Sequence, residues 1–345
     1  MQQQLFRYSG EFNLELGGKL SGFELSYSAM GTLNDKRNNV VWVCHALTAN
    51  ADFSDWWSGL VESLYDPSEY FIVCANMLGG CYGSTGPLSI NPEDGKPYFH
   101  GFPSLTNRDI VGSFDLLRQH LEITGIHTII GGSMGGQQAL EWCIQQPSLV
   151  SNLVLVGTNA VHSPWGVAFN ESQRMAIATD PTWSKSEANA GMNGMRSARA
   201  IALLSYRSYQ CYLNSQSEAD NEVVDNFRAS SYQQYQGDKL HQRFNAYTYW
   251  YLSKAMDSHN VGRGRGGVSA ALSKITANTT IVGIRSDVLF PLEEQRFLAM
   301  NIRESVYHEI DSDYGHDGFL LELDQLTNII TGNRVPNSKH KRANG

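Results

Sequence analysis

The stretch IIGGSMGGQQAL, residues 129–140, places a Gly-x-Ser-x-Gly motif between an apolar strand-like run and a helix-like run. That strand–turn–helix context is the one the motif requires when its serine is a nucleophile. The turn holds the serine in a strained backbone geometry, and glycines at 131 and 135 let strand and helix approach closely. The helix that follows favours negative charge at its N-terminus. We therefore predict a catalytic Ser133; the alternative is a tight turn with an incidental serine.

Short apolar runs on both sides of this motif predict a parallel sheet. Continuous apolar runs are expected of parallel strands covered on both faces, and four occur here, at Val40–Cys44, Phe71–Cys74, Thr128–Ile130 and Leu153–Val156. Helix-like stretches at about 55–65, 107–123 and 134–146 alternate with them. This alternation predicts an α/β fold with a mostly parallel sheet. Upstream, residues 4–33 alternate apolar and polar around Gly17-Gly18, which predicts an antiparallel hairpin.

The alternation of strands and helices stops near residue 160 and resumes at Thr279–Ile284. We therefore predict a discontinuous core, residues 1–160 and 277–333. The intervening residues 161–276 predict a helical lid over the carboxyl edge of the sheet, where α/β proteins bind ligands. The polar, basic tail 334–345 is predicted to be disordered.

A serine nucleophile needs a base that is held in place by an acid. In chains with this motif the order is serine, acid, histidine. Asp287 follows the strand-like run 279–284, and His316 follows the next such run; of ten histidines, only His316 has the right place. We predict Asp287 and His316 as acid and base, with Asp311 and Asp313 as the fallback acids.

An oxyanion hole needs two backbone N–H groups. One comes from the residue after the nucleophile, here Met134, and the other from the loop after an early strand. That loop is HALTAN, residues 45–50, and Leu47 is the predicted donor. His45 in the same loop is predicted to serve the loop's architecture rather than act as a second base.

Two residues of the predicted lid favour a small carboxylate as ligand. Arg199 and Tyr206 are seven residues apart and therefore share one helix face. An arginine fork binds carboxylates bidentately; the alternative is a surface arginine beside a packed tyrosine. Asp317, next to His316, suits an ammonium group. A carboxylate clamp together with an ammonium clamp is what an amino-acid substrate would need.

Composition excludes several classes of protein. The 345 residues carry a net charge of −8, so a nucleic-acid partner is not expected. The apolar runs are far shorter than the ~18–20 residues of a membrane span, and the N-terminal residues do not have the pattern expected of a signal peptide. Five scattered cysteines without a CxxC pair predict neither disulfides nor a zinc site, and favour a cytoplasmic location.

Two glycine-rich segments carry no clear chemistry. Residues 79–87, GGCYGSTGP, lack the Gly-Lys-Ser/Thr ending of a phosphate-binding loop. Residues 262–267, GRGRGG, are basic. We expect this second segment to be a solvated connector, and the alternative is a contact with the phosphates of an anionic substrate.

Nine motifs spread over about residues 5–330 resemble the homoserine O-acetyltransferase family. They are HALT (45–48), NMLGGCYGSTGP (76–87), FP (102–103), RD (108–109), GGSMGG (131–136), NESQR (170–174), SYRS (205–208), AMD (255–257) and GHDGFL (315–320). The resemblance implies an α/β-hydrolase fold with an inserted helical lid. It also implies ping-pong transfer of an acetyl group from acetyl-CoA to L-homoserine in methionine biosynthesis, by a cytoplasmic homodimer built through the lid. No metal and no bound cofactor are implied, because acetyl-CoA is a substrate.

The resemblance also implies roles for individual residues. By position, the family's triad matches Ser133, Asp287 and His316, and its oxyanion donors match Leu47 and Met134. The residues that hold the substrate match Arg199 and Tyr206 for the carboxylate and Asp317 for the amine.

The chain departs from the family's usual residues near the predicted pocket, at Ala49, Ser205 and Gly318. These departures leave other readings open. The donor could be succinyl-CoA and the acceptor L-serine, or water could be the acceptor, as in an esterase or a thioesterase.

Overall fold

One sheet of eight strands organises residues 3–332, the part of the chain that the computed structural model describes. The strands are β1 (Gln3–Asn13), β2 (Lys19–Met30), β3 (Val40–Cys44), β4 (Phe71–Ala75), β5 (Ile126–Gly132), β6 (Val150–Val156), β7 (Asn278–Ile284) and β8 (Ser305–Ile310). Their spatial order is β1-β2-β4-β3-β5-β6-β7-β8. Strands β1 and β2 pair antiparallel, as does β2 with β4, and every pair from β4 to β8 is parallel. The predicted hairpin and the mostly parallel sheet are both confirmed.

Apolar cores cover both faces of the sheet. All five residues of β3 are buried, and they alternate between the two cores because successive strand side chains point to opposite faces. Val41 and Val43 enter one core and Trp42 the other. The ring of Trp42 meets that of Trp142 edge-on, with centroids 4.7 Å apart. Because both faces are covered, the strand sequences are continuous apolar runs.

The helices of the first half are α1 (Phe53–Trp56), α2 (Leu60–Leu64), α3 (Asn107–His120) and α4 (Met134–Gln145). The single helix predicted at about 55–65 is wrong. Gly59, with φ +76°, interrupts it and leaves two short helices. Helix α3 begins at a capping box, in which Thr106 and Asp109 satisfy each other's backbone N–H groups.

Six helices lie between β6 and β7, in the segment predicted to be the lid. They are α5 (Pro164–Ala178), α6 (Met192–Tyr206), α7 (Tyr209–Gln216), α8 (Arg228–His241), α9 (Ala246–Asp257) and α10 (Val268–Leu272). The chain then returns to the sheet and ends with α11 (Leu292–Asn301), a 3-10 turn (Gly315–Asp317), α12 (Gly318–Leu321) and α13 (Leu323–Ile330). The predicted disordered tail, 334–345, lies outside the described residues.

The basic segment 262–267 is not the solvated connector that we expected. Arg263 donates from Nε and Nη2 to the carboxylate of Glu15, at 3.0 and 2.8 Å. Arg265 donates from Nη1 to Glu141 Oε2 at 2.9 Å, and the Glu141 side chain is 2% exposed. Both guanidinium groups are engaged with the core, which also argues against the phosphate-binding alternative. The segment fastens the chain before β7 to the turn between β1 and β2 and to helix α4.

Candidate active site

Ser133 stands at a sharp turn between β5 and α4. Its backbone has φ +55° and ψ −128°, a conformation that costs a non-glycine residue about 1–3 kcal/mol. The flanking glycines permit it, because a Cβ on Gly131 would lie 2.4 Å from the carbonyl oxygen of Gly135. A Cβ on Gly135 would lie 2.1 Å from the carbonyl oxygen of Cys44. The strained turn predicted from the motif is therefore present.

Neighbouring backbone groups fix the turn. The Ser133 N–H donates to the carbonyl of Val156 at 3.0 Å, and its own carbonyl accepts the Thr158 hydroxyl at 2.8 Å. Both partners come from the end of β6 and the residues after it. The backbone of the serine is thus held by the end of the adjacent strand and by the residues that follow it.

Asp287 and His316 meet beside the turn, although 29 residues separate them in sequence. His316 Nδ1 lies 2.6 Å from Asp287 Oδ2, and the two side chains are 3% and 0% exposed. The other oxygen of Asp287 accepts the backbone N–H groups of Leu289 and Phe290, at 2.8 and 2.9 Å. The carboxylate is therefore fixed on both sides, with one oxygen reserved for the imidazole.

The surroundings of His316 set its basicity. Burial lowers the pKa of the imidazole, but the charge and hydrogen bond of Asp287 outweigh it, and the pKa is raised overall. The ring stacks on Phe290, with centroids 5.0 Å apart, and lies 5.2 Å from Phe319. Both fallback acids are exposed. Asp311 pairs with Arg285, and Oδ2 of Asp313 accepts Nδ2 of Asn214 at 3.4 Å.

The predicted oxyanion donors flank the serine. Met134 is the first residue of α4, so its N–H has no acceptor within the helix. In residues 3–332 the Leu47 N–H bonds to no acceptor either. His45 Nε2 accepts the Met77 N–H at 3.1 Å, and burial lowers the pKa of His45 to about 4. A neutral His45 thus supports the loop, as predicted, and does not serve as a second base.

A cavity of about 330 Å³ opens over Ser133, between helices α6 and α8 and the loops that follow the strands. Its walls include Leu47, Arg199, Tyr206, Arg207, Lys239, Arg243, His316 and Asp317. Met134 does not line it, because its side chain belongs to the core. All the other predicted site residues except the buried Asp287 face this one space.

Arg199 and Tyr206 lie together on the cavity wall. The guanidinium carbon of Arg199 is 5.3 Å from the centre of the Tyr206 ring. In the described part of the chain, no carboxylate lies within ion-pair distance of Arg199. A cation without a bound carboxylate, at the side of a candidate nucleophile, can bind an incoming anionic group.

Asp317 already has a partner, which the sequence reasoning missed. Arg207 Nε lies 2.8 Å from Asp317 Oδ2. Burial raises the pKa of Asp317, while Arg207, Arg199 and His316 act against that rise. The SYRS motif contains Arg207, but helical spacing alone gave no reason to select it, since α6 ends at Tyr206 and Arg207 is extended (φ −112°, ψ 145°).

A partly buried acid, Glu294, was also missed. Its Oε2 accepts Nδ2 of Asn159 at 2.9 Å. Burial raises the pKa of Glu294 to about 7, against hydrogen bonds from Asn159 and Ser163, and the charge of Asp287 adds to the rise. The sequence carries no signal for it, because Glu294 sits beside Glu293 in an apparently ordinary helical first turn.

The described residues contain neither a candidate metal-binding group nor a candidate membrane-spanning helix. Within residues 3–332, no three His, Cys, Asp or Glu side chains are grouped so that they could hold a metal ion. No helix in the same range is long and apolar enough to cross a membrane.

Known proteins resemble this chain in sequence over most of its length. The family model of the α/β hydrolase fold matches residues 39–323, so fold and site together define an α/β hydrolase. A homoserine O-acetyltransferase of Cyclobacterium marinum is 50% identical over 332 residues, which cover 96% of this chain and 94% of that protein. The chain therefore belongs to the homoserine O-acetyltransferase family, as its motifs predicted.

Solved structures share the fold. The crystal structure of homoserine O-acetyltransferase from Bacillus anthracis has a TM-score of 0.87 at 22% identity, over 96% of each chain. That of esterase E22 has a TM-score of 0.86 at 21% identity, over 96% of this chain and 99% of that one. At such identities the likeness concerns the fold alone. The same fold occurs in a protein named as an acetyltransferase and in one named as an esterase.

Proposed function

We propose that this protein transfers the acetyl group of acetyl-CoA to the hydroxyl of L-homoserine through an acetyl-serine intermediate, in methionine biosynthesis. One observation supports the acceptor above all. The cavity over Ser133 is lined by Arg199, which forms no ion pair among the described residues, and by the carboxylate of Asp317. Opposite charges on the walls of one small space fit a zwitterionic amino acid, and membership of the family supports the same choice.

In the first half of the reaction, His316 takes the proton of Ser133 Oγ as that oxygen attacks the thioester carbonyl. Asp287 stabilises the imidazolium through the 2.6 Å contact with Nδ1. The N–H groups of Leu47 and Met134 stabilise the oxyanion of the tetrahedral intermediate. The C–S bond then breaks, CoA leaves with the proton from His316, and Ser133 carries the acetyl group.

In the second half, the acceptor hydroxyl gives its proton to His316 and attacks the acetyl-serine. Arg199 and Tyr206 hold the acceptor carboxylate, and Asp317 holds its ammonium group. The C–O bond to Ser133 breaks, the serine recovers the proton, and the acetylated amino acid leaves. Such orientation converts a bimolecular encounter into an effectively unimolecular step, which is how the acceptor outcompetes water.

The chain supplies nucleophile, base and oxyanion donors itself, so the proposed reaction needs neither a metal nor a resident cofactor. Apart from Arg199, Arg207 and Asp317, which are assigned to the acceptor, the cavity has two cationic side chains, Lys239 and Arg243, and one acidic one, Asp55. That excess suits a polyanionic acyl-CoA donor. A cytoplasmic homodimer built through the lid completes the proposal.

Release of CoA thiol from acetyl-CoA, with and without L-homoserine, tests the function. We expect homoserine-dependent release that disappears in Ser133→Ala. Equal release without homoserine would favour a thioesterase, and release only from succinyl-CoA or only with L-serine would reassign donor or acceptor.

Arg199→Ala tests the acceptor site separately. We expect it to weaken acceptor turnover by about 2–5 kcal/mol, because it removes one partner of an ion pair with the substrate. Acylation of Ser133 by acetyl-CoA should persist. Arg196→Ala is the matched control, since Arg196 lies one turn earlier on α6 and pairs with Asp238 outside the cavity.

A further inference from the structure

Arg207 enters the cavity from the end of α6 and meets the turn that carries His316. Its Nε lies 2.8 Å from Asp317 Oδ2, and the two side chains are 20% and 12% exposed. The contact is an ion pair rather than an aligned hydrogen bond, because the Nε–H has no acceptor in hydrogen-bond geometry among the described residues. Arg207 thus acts on Asp317 by charge and occupies one of its two oxygens.

Other contacts place the guanidinium of Arg207 before any substrate arrives. Its Cζ lies 5.8 Å from the centre of the Tyr314 ring, and Nη1 lies 4.0 Å from the sulfur of Cys211. An aromatic face attracts a cation at this distance. The position of Arg207 is therefore built into the protein and does not depend on Asp317 alone.

Backbone contacts join the same two segments. The Ser208 hydroxyl donates to the carbonyl of Asp313. Gly315 has φ +67°, and a Cβ there would lie 2.8 Å from the backbone nitrogen of Ser208. The chain after α6 and the turn 315–317 are thus held together without the Arg207 side chain. Replacing the Arg207 side chain therefore removes its charge and leaves these contacts of Ser208 with Asp313 and Gly315 in place.

We infer that Arg207 is a positioning residue for acceptor recognition: it holds Oδ2 of Asp317 so that Oδ1 faces the ammonium group of the amino-acid acceptor. The inference rests on the proposed function, because it assigns the acceptor's amine to Asp317. A carboxylate with one oxygen engaged presents the other in a fixed direction, which reduces the entropy lost when the acceptor binds.

The charge of Arg207 has a second effect on Asp317. Burial raises the pKa of this carboxyl, and Arg207 is the largest influence in the opposite direction. A protonated carboxyl cannot pair with an ammonium group. Arg207 therefore keeps Asp317 in the state that the acceptor needs.

Arg207→Met tests the inference, with Arg207→Lys as the conservative variant and Arg196→Met as the matched control on α6. We expect Arg207→Met to raise the KM for L-homoserine by about tenfold or more. The thiol burst from acetyl-CoA without acceptor should stay within about twofold of wild type, because Ser133 acylation does not use Asp317. The KM of Arg207→Lys should lie closer to that of wild type than to that of Arg207→Met, and Arg196→Met should not change the KM.

The double variant separates positioning from a general structural role. If Arg207 acts through Asp317, then Arg207→Met added to Asp317→Asn raises the KM for homoserine no further than Asp317→Asn alone. Additive effects, or a loss of the thiol burst equal to the loss of acceptor turnover, would overturn the inference. So would an unchanged KM in Asp317→Asn.

The proposed function fails in a different measurement, since it requires homoserine-dependent thiol release by the wild-type protein. Melting temperatures of all variants control for folding. If Arg207→Met does not fold, Arg207→Gln removes the charge while keeping hydrogen-bonding groups. A raised KM for homoserine with an unchanged thiol burst would then support the inference, and an unchanged KM would overturn it.

Discussion

Glu294 gives the protein a partly buried acid whose pKa is raised into the physiological pH range. We predict that Glu294→Gln stabilises the protein in a pH-dependent way. Glutamine keeps an oxygen to accept Nδ2 of Asn159, a bond of 2.9 Å in the wild type, but it has no charge to bury beside Asp287. The variant therefore changes the titration and preserves the packing.

The direction follows from the two states of the chain. Below about pH 4.5, the ordinary pKa of a glutamate, the carboxyl is protonated whether the protein is folded or not. Between pH 4.5 and about 7, the folded protein keeps a proton that the unfolded chain releases. Rising pH therefore favours the unfolded chain over this window, and the loss of stability is complete above about pH 7.

The size of the effect follows from the same interval. A shift from 4.5 to about 7, at 1.36 kcal/mol per pKa unit, gives about 3 kcal/mol as an upper limit. Glu294 is only partly shielded from water, so screening reduces that value. We expect Glu294→Gln to gain about 1–3 kcal/mol over wild type at pH 8 and almost nothing near pH 4.5.

Urea unfolding followed by circular dichroism at pH 5, 6, 7 and 8 measures this difference. Glu293→Gln is the matched control, because Glu293 is the exposed neighbour on the same helix. We expect its difference from wild type to stay constant across the series. A Glu294→Gln advantage that does not grow with pH would refute the assignment of a raised pKa to Glu294.

Three further changes have definite expected outcomes. Asp287→Asn leaves the imidazole without its anionic partner, and we expect kcat for acyl transfer to fall by about 10⁴-fold with the melting temperature little changed. Arg265→Met leaves the buried Glu141 carboxylate short of a partner, and urea unfolding should show a loss of about 3 kcal/mol, whereas a loss below about 1 kcal/mol would contradict a structural role for the pair. Gly135→Ala places a Cβ 2.1 Å from a strand carbonyl and should destabilise the fold by more than about 4 kcal/mol. Gly101→Ala, which meets nothing within 4 Å, should be tolerated.

Local patterns in the sequence were enough to predict the sheet and the nucleophile turn. The runs around β3, β5 and β6 are apolar because both faces of those strands are covered, and the glycines around Ser133 are required by measurable close approaches. Chain order selected Asp287 and His316 before any distance between them was known. Such features depend on neighbours in sequence or on a single motif.

What the sequence did not predict depends on contacts between distant segments. Nothing within residues 262–267 indicates that Arg263 binds Glu15 and that Arg265 binds Glu141. Arg207 lies 110 residues from Asp317, and the pKa of Glu294 is raised by partial burial, to which the charge of Asp287 adds. Charges acquire their roles from partners and burial, and neither can be inferred from spacing along one helix.

The long helical segment between β6 and β7 has a consequence for folding. About 120 residues separate the end of β6 from the start of β7. The strands around the serine turn are joined by much shorter connections. Strand β7, which precedes Asp287 and pairs with β8, must close a long loop before it can pair with β6. Loop closure costs entropy that increases with length, and helices formed early within the insertion shorten the distance to be searched. During refolding we therefore expect protection of amide protons in β5 and β6 to precede the recovery of enzyme activity.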